Sequence, residues 1–334
     1  VDESTFTVKV PSLTTFGEIP LSMTIHGVEM NMGGYAAFEI LASPVITSVE
    51  TDNKFSSKAV QVGNTVTIKG TGFRNSTISS ATFGGQDLNY TVVSDTKITA
   101  SVSEQCAEGE DVITLKFDDV VVDVVSGDKL NMLKAGSDIS DYILTNVKQP
   151  FESKEGKTSG HCTPVGWKFN YGAGNDGFCH NESEIEMPGE GLYMNDQGGL
   201  LVIQSGWEGR SKKMNGKMFQ IFNIPQGIYD VVIDVAELVT SGGGRKKAGL
   251  FISKGGEEQT PNMDASGNWT ENTNLLKSVD FYKLGETYNE NYKDRRFVIE
   301  NLTIDYEGET TLGFAVHFDS NRALKISSIK VLLK

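Results

Sequence analysis

Apolar and polar residues alternate along most of this chain, with the period of two that turns every apolar side chain of a strand to one face. The pattern occurs twice in related form. A shift of 92 positions lays residues 2–41 on residues 94–133 without a gap, placing Gly17 on Gly109 and Glu18 on Glu110. Val10, Thr7, Val28 and Leu41 then meet Val102, Thr99, Val120 and Leu133. Elsewhere the class of residue is kept: Phe6/Ile98, Leu21/Ile113, Met23/Leu115, Ile25/Phe117, Met30/Val122, Phe38/Leu130 and Ile40/Met132. A repeat of this length is one folding unit used twice, not a solenoid turn. The first copy lacks the front half of the second, so Val1 is not expected to mark the natural start of the protein.

Residues 1–42 predict three strands, Thr5–Val10, Leu21–Ile25 and Ala37–Leu41, punctuated by Gly17 and Gly33-Gly34. The complete module opens on Pro44-Val45-Ile46-Thr47-Ser48-Val49, with its proline where no ladder donor is needed. An alternating strand follows in Val66-Thr67-Ile68-Lys69 and runs into Gly70-Thr71-Gly72-Phe73. Ser80–Phe83, Thr91–Val93 and Lys97–Val102 are further strands before the repeated tail. Residues 136–141 show no apolar period and read as a linker. Beyond Tyr142 the strands lengthen: Phe219–Ile224, Ile228–Val235 after Pro225-Gln226-Gly227, Ala248–Ser253, Arg296–Leu302, Thr310–Phe318 and Leu324–Leu333. Roughly 200 residues of strand and loop with hardly any helical period predict a two-sheet jelly roll.

At 334 residues the chain exceeds one ordinary domain, and a net charge of −14 disfavours nucleic acid or an anionic membrane surface as partner. A neutral partner fits it. No run of about 18 apolar residues is present to span a membrane. Of the three cysteines, Cys162 and Cys179 bracket a Gly-rich segment, where a disulfide is as open as free thiols, and Cys106 stands apart. Five Asn-x-Ser/Thr sequons, at Asn75, Asn89, Asn181, Asn268 and Asn301, are readily produced by chance in a chain this rich in Asn, Ser and Thr.

Val66-Thr67-Ile68-Lys69-Gly70-Thr71-Gly72-Phe73, Phe83-Gly84-Gly85 and Asp95-Thr96-Lys97-Ile98-Thr99-Ala100 together resemble the immunoglobulin-like IPT/TIG family, whose strands follow the same order. The glycines are expected to permit turns that a Cβ would forbid, and Phe73 to fill the space between two sheets. The order Pro-x-Gly, Ile-Tyr-x-Val-x-Ile-x-Val (residues 228–235) and a last strand Lys325–Val331 is similar to galactose-binding-like jelly rolls. Such modules in series resemble the surface glycan-binding lipoproteins of the Bacteroidetes. The resemblance implies an all-β protein: tandem immunoglobulin-like β-sandwiches, the first truncated, plus a C-terminal β-jelly roll. The expected divisions are 1–43 (half a module), 44–136 (a complete module) and 137–334 (a carbohydrate-binding-like domain). It further implies a stalk on the extracellular face of the outer membrane, lipid-anchored upstream of Val1, with outer-membrane glycan importer components as further partners.

Sugar capture needs flat aromatic faces beside amides, carboxylates or arginines. Trp167, Trp207 and Trp269 all follow residue 137. Trp207 in Gly206-Trp207-Glu208-Gly209-Arg210 and Trp269 in Gly267-Asn268-Trp269-Thr270 sit in polar, loop-like settings, where a solvent-facing platform and a core filler are equally compatible with the residues. For Trp167 core packing is the stronger reading. Tyr193 is a further platform candidate, with Asn195, Arg210 and Arg245 as polar partners; Arg245, at a Gly-rich loop tip, suits a uronate or sulfate or is a solvated turn. His161-Cys162 and Cys179-His180 invite zinc, but adjacent ligands point apart and structural zinc sites space theirs two to four residues. Glu182, Glu184, Glu186, Asp305 and Asp319 leave calcium open, without an ordered Asp-x-Asp loop; no other cofactor is implied. No Gly-x-Ser-x-Gly or His-Glu-x-x-His motif points to an enzyme. The sequence therefore predicts a non-catalytic surface protein that captures a polysaccharide or oligosaccharide by stacking. An adhesin binding a protein, and a glycoside hydrolase or lyase with two carboxylates, are the alternatives.

Overall fold

The structure, a computed structural model, describes residues 17–20, 22–31, 37–41, 43–118, 120, 122–154, 156, 161–170, 190–193, 199–204, 214–239, 246–263, 268–281, 292–318 and 323–334. It divides into two compact units, Val1–Leu133 and Lys134–Lys334. In the first unit, Gly17–Pro20 (β1), Ser22–Ile25 (β2), Val28–Asn31 (β3) and Ala37–Ile40 (β4) form the pairs β1–β4 and β2–β3. The strands that follow are Val45–Thr51 (β5), Ala59–Val60 (β6), Val66–Thr71 (β7), Ile78–Phe83 (β8), Gln86–Asp87 (β9), Asn89–Ser94 (β10), Lys97–Ser101 (β11), Gly109–Phe117 (β12) and Val124–Met132 (β13). They build a four-stranded sheet, β10-β11-β7-β5, and a five-stranded sheet, β6-β13-β12-β8-β9.

The repeat reappears in the hydrogen-bond register. β1 pairs Gly17 with Ile40, Glu18 with Glu39, Ile19 with Phe38 and Pro20 with Ala37. β12 pairs Gly109 with Met132, Glu110 with Asn131, Asp111 with Leu130 and Val112 with Lys129, each partner displaced by the same 92 positions. The two copies part company one turn later. β2 and β3 close on His26 and Gly27, both at positive φ (49° and 80°), as a two-residue hairpin demands. In the second copy Thr114 meets Val125, two places further on than that hairpin would give, and the connection is longer.

Between the two sheets of residues 45–132 lie Val49, Val66, Ile68, Phe73, Phe83, Ile98, Ile113 and Leu115, all at most 1% exposed. Gly72 has the expected left-handed backbone, φ 74°. Gly70 serves differently from the expectation. It continues strand β7, and a Cβ there would stand 2.0 Å from the Val45 carbonyl oxygen and 2.4 Å from the Phe73 ring. The missing side chain is the space into which Phe73 packs. The Asp95 carboxylate accepts the backbone N–H of Gly72 and Arg74, both at 3.1 Å, which fixes the loop carrying that ring.

In the second unit a short helix, Ser140–Ile143 (α1), precedes His161–Cys162 (β14), Lys168–Asn170 (β15), Glu190–Tyr193 (β16), Leu200–Gln204 (β17), Met214–Asn223 (β18), Gly227–Val239 (β19), Lys246–Lys254 (β20), Leu275–Asp280 (β21), Tyr292–Ile304 (β22), Glu309–Phe318 (β23) and Ala323–Leu333 (β24). A six-stranded sheet, β14-β16-β17-β24-β19-β22, faces a five-stranded one, β15-β18-β23-β20-β21, as the jelly-roll expectation requires. Phe281 bridges them, its ring centroid 4.6 Å from Phe297 on one sheet and 6.2 Å from Phe314 on the other. The Pro225-Gln226-Gly227 turn is tied to the core by Tyr229, whose hydroxyl donates to the Pro225 carbonyl at 2.7 Å and whose burial pushes its pKa up to about 12. The stretch 136–141 is not the free linker its composition suggested. Gly136 and Ile139 donate to the Leu333 and Val331 carbonyls, and Ile139 is fully buried, so the segment is laced along β24.

These contacts predict that Gly70→Ala costs about 3 kcal/mol or more in chemical denaturation of the full chain, since neither a backbone carbonyl nor a core ring can yield. Gly127→Ala, on an open stretch of β13 with nothing within 4 Å, should change stability by under about 0.5 kcal/mol.

Candidate functional site

An antiparallel sheet in a sandwich commonly turns one face to the core and one to water. β23 does not. Leu312, Phe314, Val316 and Phe318 point inward, yet Thr311, Ala315 and His317 on its other face are also at most 1% exposed, and Gly313 among them is buried. Something covers the outer face of the five-stranded sheet. The cover comes from the long connection between β20 and β21, whose described residues 255–263 and 268–274 form two arms and seat Met263 on Phe219, Phe251 and Ala315. Gly313 makes room for this second apolar cluster: a Cβ there would fall 2.5 Å from Phe219 and 2.7 Å from Phe251.

Polar contacts from both arms hold the strap. On its outward arm, Lys217 of β18, 6% exposed, donates through Nζ to Thr260 Oγ1 at 2.5 Å and Asn262 Oδ1 at 2.7 Å, with the Thr260 and Pro261 carbonyls further off at 3.4 Å. On its return arm, Trp269 lies half-buried over Gly249, where a Cβ would come within 2.7 Å of its Cζ2. Its indole N–H donates to Asp280 Oδ1 at 2.7 Å, and Asp280 is the cross-strand partner of Gly249. One edge of the indole meets Phe251 at 6.2 Å. The arms are cross-linked: Thr270 N–H donates to the Asn262 carbonyl at 2.8 Å, and Met263 and Trp269 form a bridge. The result is an aromatic ring of fixed orientation at the surface, beside the exposed Asp280 carboxylate.

The outer face of the six-stranded sheet is polar instead. A cleft of about 450 Å³ is lined by Asp234, Val235, Arg295, Arg296 and Ser327. Its polar groups are engaged with one another. Arg296 grips Asp234 with two bonds, 2.7 and 3.2 Å, Ser328 donates to the same carboxylate, and Ser327 donates to the Asp234 carbonyl. The Arg296 guanidinium holds the Asp234 carboxyl below its ordinary 3.8, over the opposing effect of burial. Burial pushes Asp230 upward, but the Lys334 ammonium and the Asn301 N–H outweigh it and its pKa also falls below 3.8. Among the described residues no group of three or more His, Cys, Asp or Glu is placed to hold a metal ion, and no helix is long and apolar enough to cross a membrane.

Residues 44–126 match the IPT/TIG domain. The Gly70–Phe73 packing lies within the matched residues. Solved structures similar to the chain include TmCBM61 in complex with β-1,4-galactotriose, at 13% identity and a TM-score of 0.28, covering 51% of this chain and 90% of that one. SGBP-B from a xyloglucan utilization locus in Bacteroides uniformis covers 100% of this chain and 86% of its own at 14% identity, with a TM-score of 0.25. The K1 cleaved adhesin domain of Lys-gingipain from Porphyromonas gingivalis W83 reaches a TM-score of 0.31 at 14% identity, covering 51% and 92%. No curated protein matches the chain.

Outside the IPT/TIG module, the structure places the sequence-predicted residues unequally. Trp269 stands at the surface as described. Trp167 is 3% exposed, stacks on Phe314 at 5.9 Å and donates its N–H to the Asn146 carbonyl at 3.1 Å, so it fills the core and offers no open face. Tyr193 ends β16, paired with His161 in β14. Trp207, Asn195, Arg210 and Arg245 lie outside the described residues, as do Cys179, His180, Glu182, Glu184, Glu186 and Asp319. Cys106 is buried and free. Asp280, Lys217 and Gly249 were not anticipated.

Because Asp234 and Asp230 titrate below 3.8 when folded, their stabilisation is whole above that value and is lost as the pH falls through their folded values. Thermal melts of the intact chain should show Asp234→Asn less stable than wild type at pH 7, and the gap closing below about pH 3.5 as the wild-type carboxylate protonates.

Proposed function

We propose that this protein captures a polysaccharide without cleaving it, and that Trp269 is a platform for the sugar. The single observation that carries the reading is a half-buried indole fixed on a covered sheet face, its N–H committed to Asp280. A pyranose stacks its C–H face on such a ring while its hydroxyls reach the Asp280 carboxylate. Such stacking yields a few kcal/mol at most before ordering costs, giving the weak, reversible hold suited to a protein that passes its ligand on. In this reading the IPT/TIG modules are a stalk on the outer surface of the cell, anchored upstream of Val1, and the captured glycan is handed to an uptake system. Residues Trp207, Tyr193, Asn195, Arg210 and Arg245 belong to the same proposal as further contacts.

Affinity electrophoresis of the intact chain in gels containing a panel of polysaccharides tests it. Retardation by at least one polysaccharide with no reducing ends released, and a loss of about tenfold or more in affinity for Trp269→Ala but less for Trp269→Phe, is the expected result. Release of product would establish catalysis instead. Equal retardation of Trp269→Ala would remove Trp269 from the site.

A further inference from the structure

Lys217 is the charged residue least expected where it is found. It sits on the outer face of β18, opposite Ala315 of β23, and is 6% exposed. Burying an ammonium is expensive unless oxygens replace its water. Here the strap supplies them, from the three consecutive residues Thr260, Pro261 and Asn262. Thr260 is braced in turn, its hydroxyl donating to the Glu257 carbonyl at 2.7 Å. Asn262 is the residue that locks the return arm. Its backbone N–H donates to Thr270 Oγ1 at 3.2 Å, and its carbonyl accepts from both Thr270 N–H and Thr270 Oγ1. Trp269 is the neighbour of Thr270 and the bridge partner of Met263. A continuous chain of contacts therefore runs from the Lys217 ammonium through Asn262 to the backbone that presents the indole.

We propose that Lys217 is a positioning residue for the Trp269 platform, setting the height and tilt of the ring through the strap while making no contact with the ligand. The inference rests on the platform reading for its functional meaning, but the geometric half stands by itself. Apolar contact alone leaves the strap free to slide on the smooth floor of Gly313 and Ala315, because such contact is non-directional. Charge-assisted bonds to three consecutive residues fix its register.

The test uses the intact chain labelled with fluorotryptophan, whose three resonances are assigned by single Trp→Phe substitutions. Lys217→Met, close in length and uncharged, should move or broaden the Trp269 resonance, leave the Trp167 resonance in place, and weaken polysaccharide binding about tenfold. Both resonances unchanged would overturn the inference. So would joint displacement of both, which would make Lys217 a support for the whole sandwich and not for the platform. Should Lys217→Met fail to fold, Asn262→Ala, at a half-exposed loop position, is read by the same criteria. If wild type binds no polysaccharide at all, the glycan reading falls while the fluorine spectrum still decides the role of Lys217.

Discussion

Both units depend on one steric device, a strand glycine whose absent side chain is filled by an aromatic ring from elsewhere. Gly70 admits Phe73 in the IPT/TIG module, Gly313 admits Phe251, and Gly249 admits Trp269. In each case a Cβ would lie well inside contact distance of the ring, so the pairing is obligatory in one direction: the ring can occupy the place only if the strand residue is glycine. Glycine in a strand weakens it, since it adds backbone entropy to the unfolded chain and packs nothing of its own. The ring that enters the gap offsets this loss by burying a large apolar area, and it also fixes the direction from which a loop approaches the sheet. On the five-stranded sheet the consequence is functional as well as structural. The gaps at Gly313 and Gly249 allow a loop strap to lie close on the outer face, where a solvated surface is the usual outcome.

Much of the fold could be read from residue order, because period-two alternation and turn chemistry are local. The two-fold use of one module was legible from apolar positions alone, and the identical pairing of Gly17 with Ile40 and Gly109 with Met132 shows why: the same spacing between turn and strand end sets the same ladder. The long strands of the jelly roll were legible for the same reason. What escaped was long-range. Nothing in Asn215-Gly216-Lys217-Met218 distinguishes Lys217 from a solvated strand residue, since its acceptors lie 43 to 45 positions away. Ile139 gave no period to detect, being a single apolar residue in a polar stretch, yet it docks on β24.

The tryptophans show the same division. Trp167 and Trp269 both follow a glycine or an asparagine in a polar, turn-like run, and local composition does not separate them. Tertiary packing does: one is enclosed between the sheets against Phe314, while the other is laid on the outside with its N–H tied to Asp280. The rule that a buried indole seeks a partner for its N–H holds for both. The difference lies in whether a second sheet stands above the ring.

The central claim is that Trp269 is held open to solvent and is covered when a polysaccharide binds. Hydroxyl-radical footprinting of the intact chain, read at each tryptophan by peptide mass spectrometry with and without a polysaccharide that retards it, measures this directly. The expected result is ready oxidation of Trp269 in the free protein, several-fold protection once the polysaccharide is added, and an unreactive Trp167 in both states. A Trp269 as inert as Trp167 in the free protein, or one oxidised equally fast with polysaccharide present, would contradict the account.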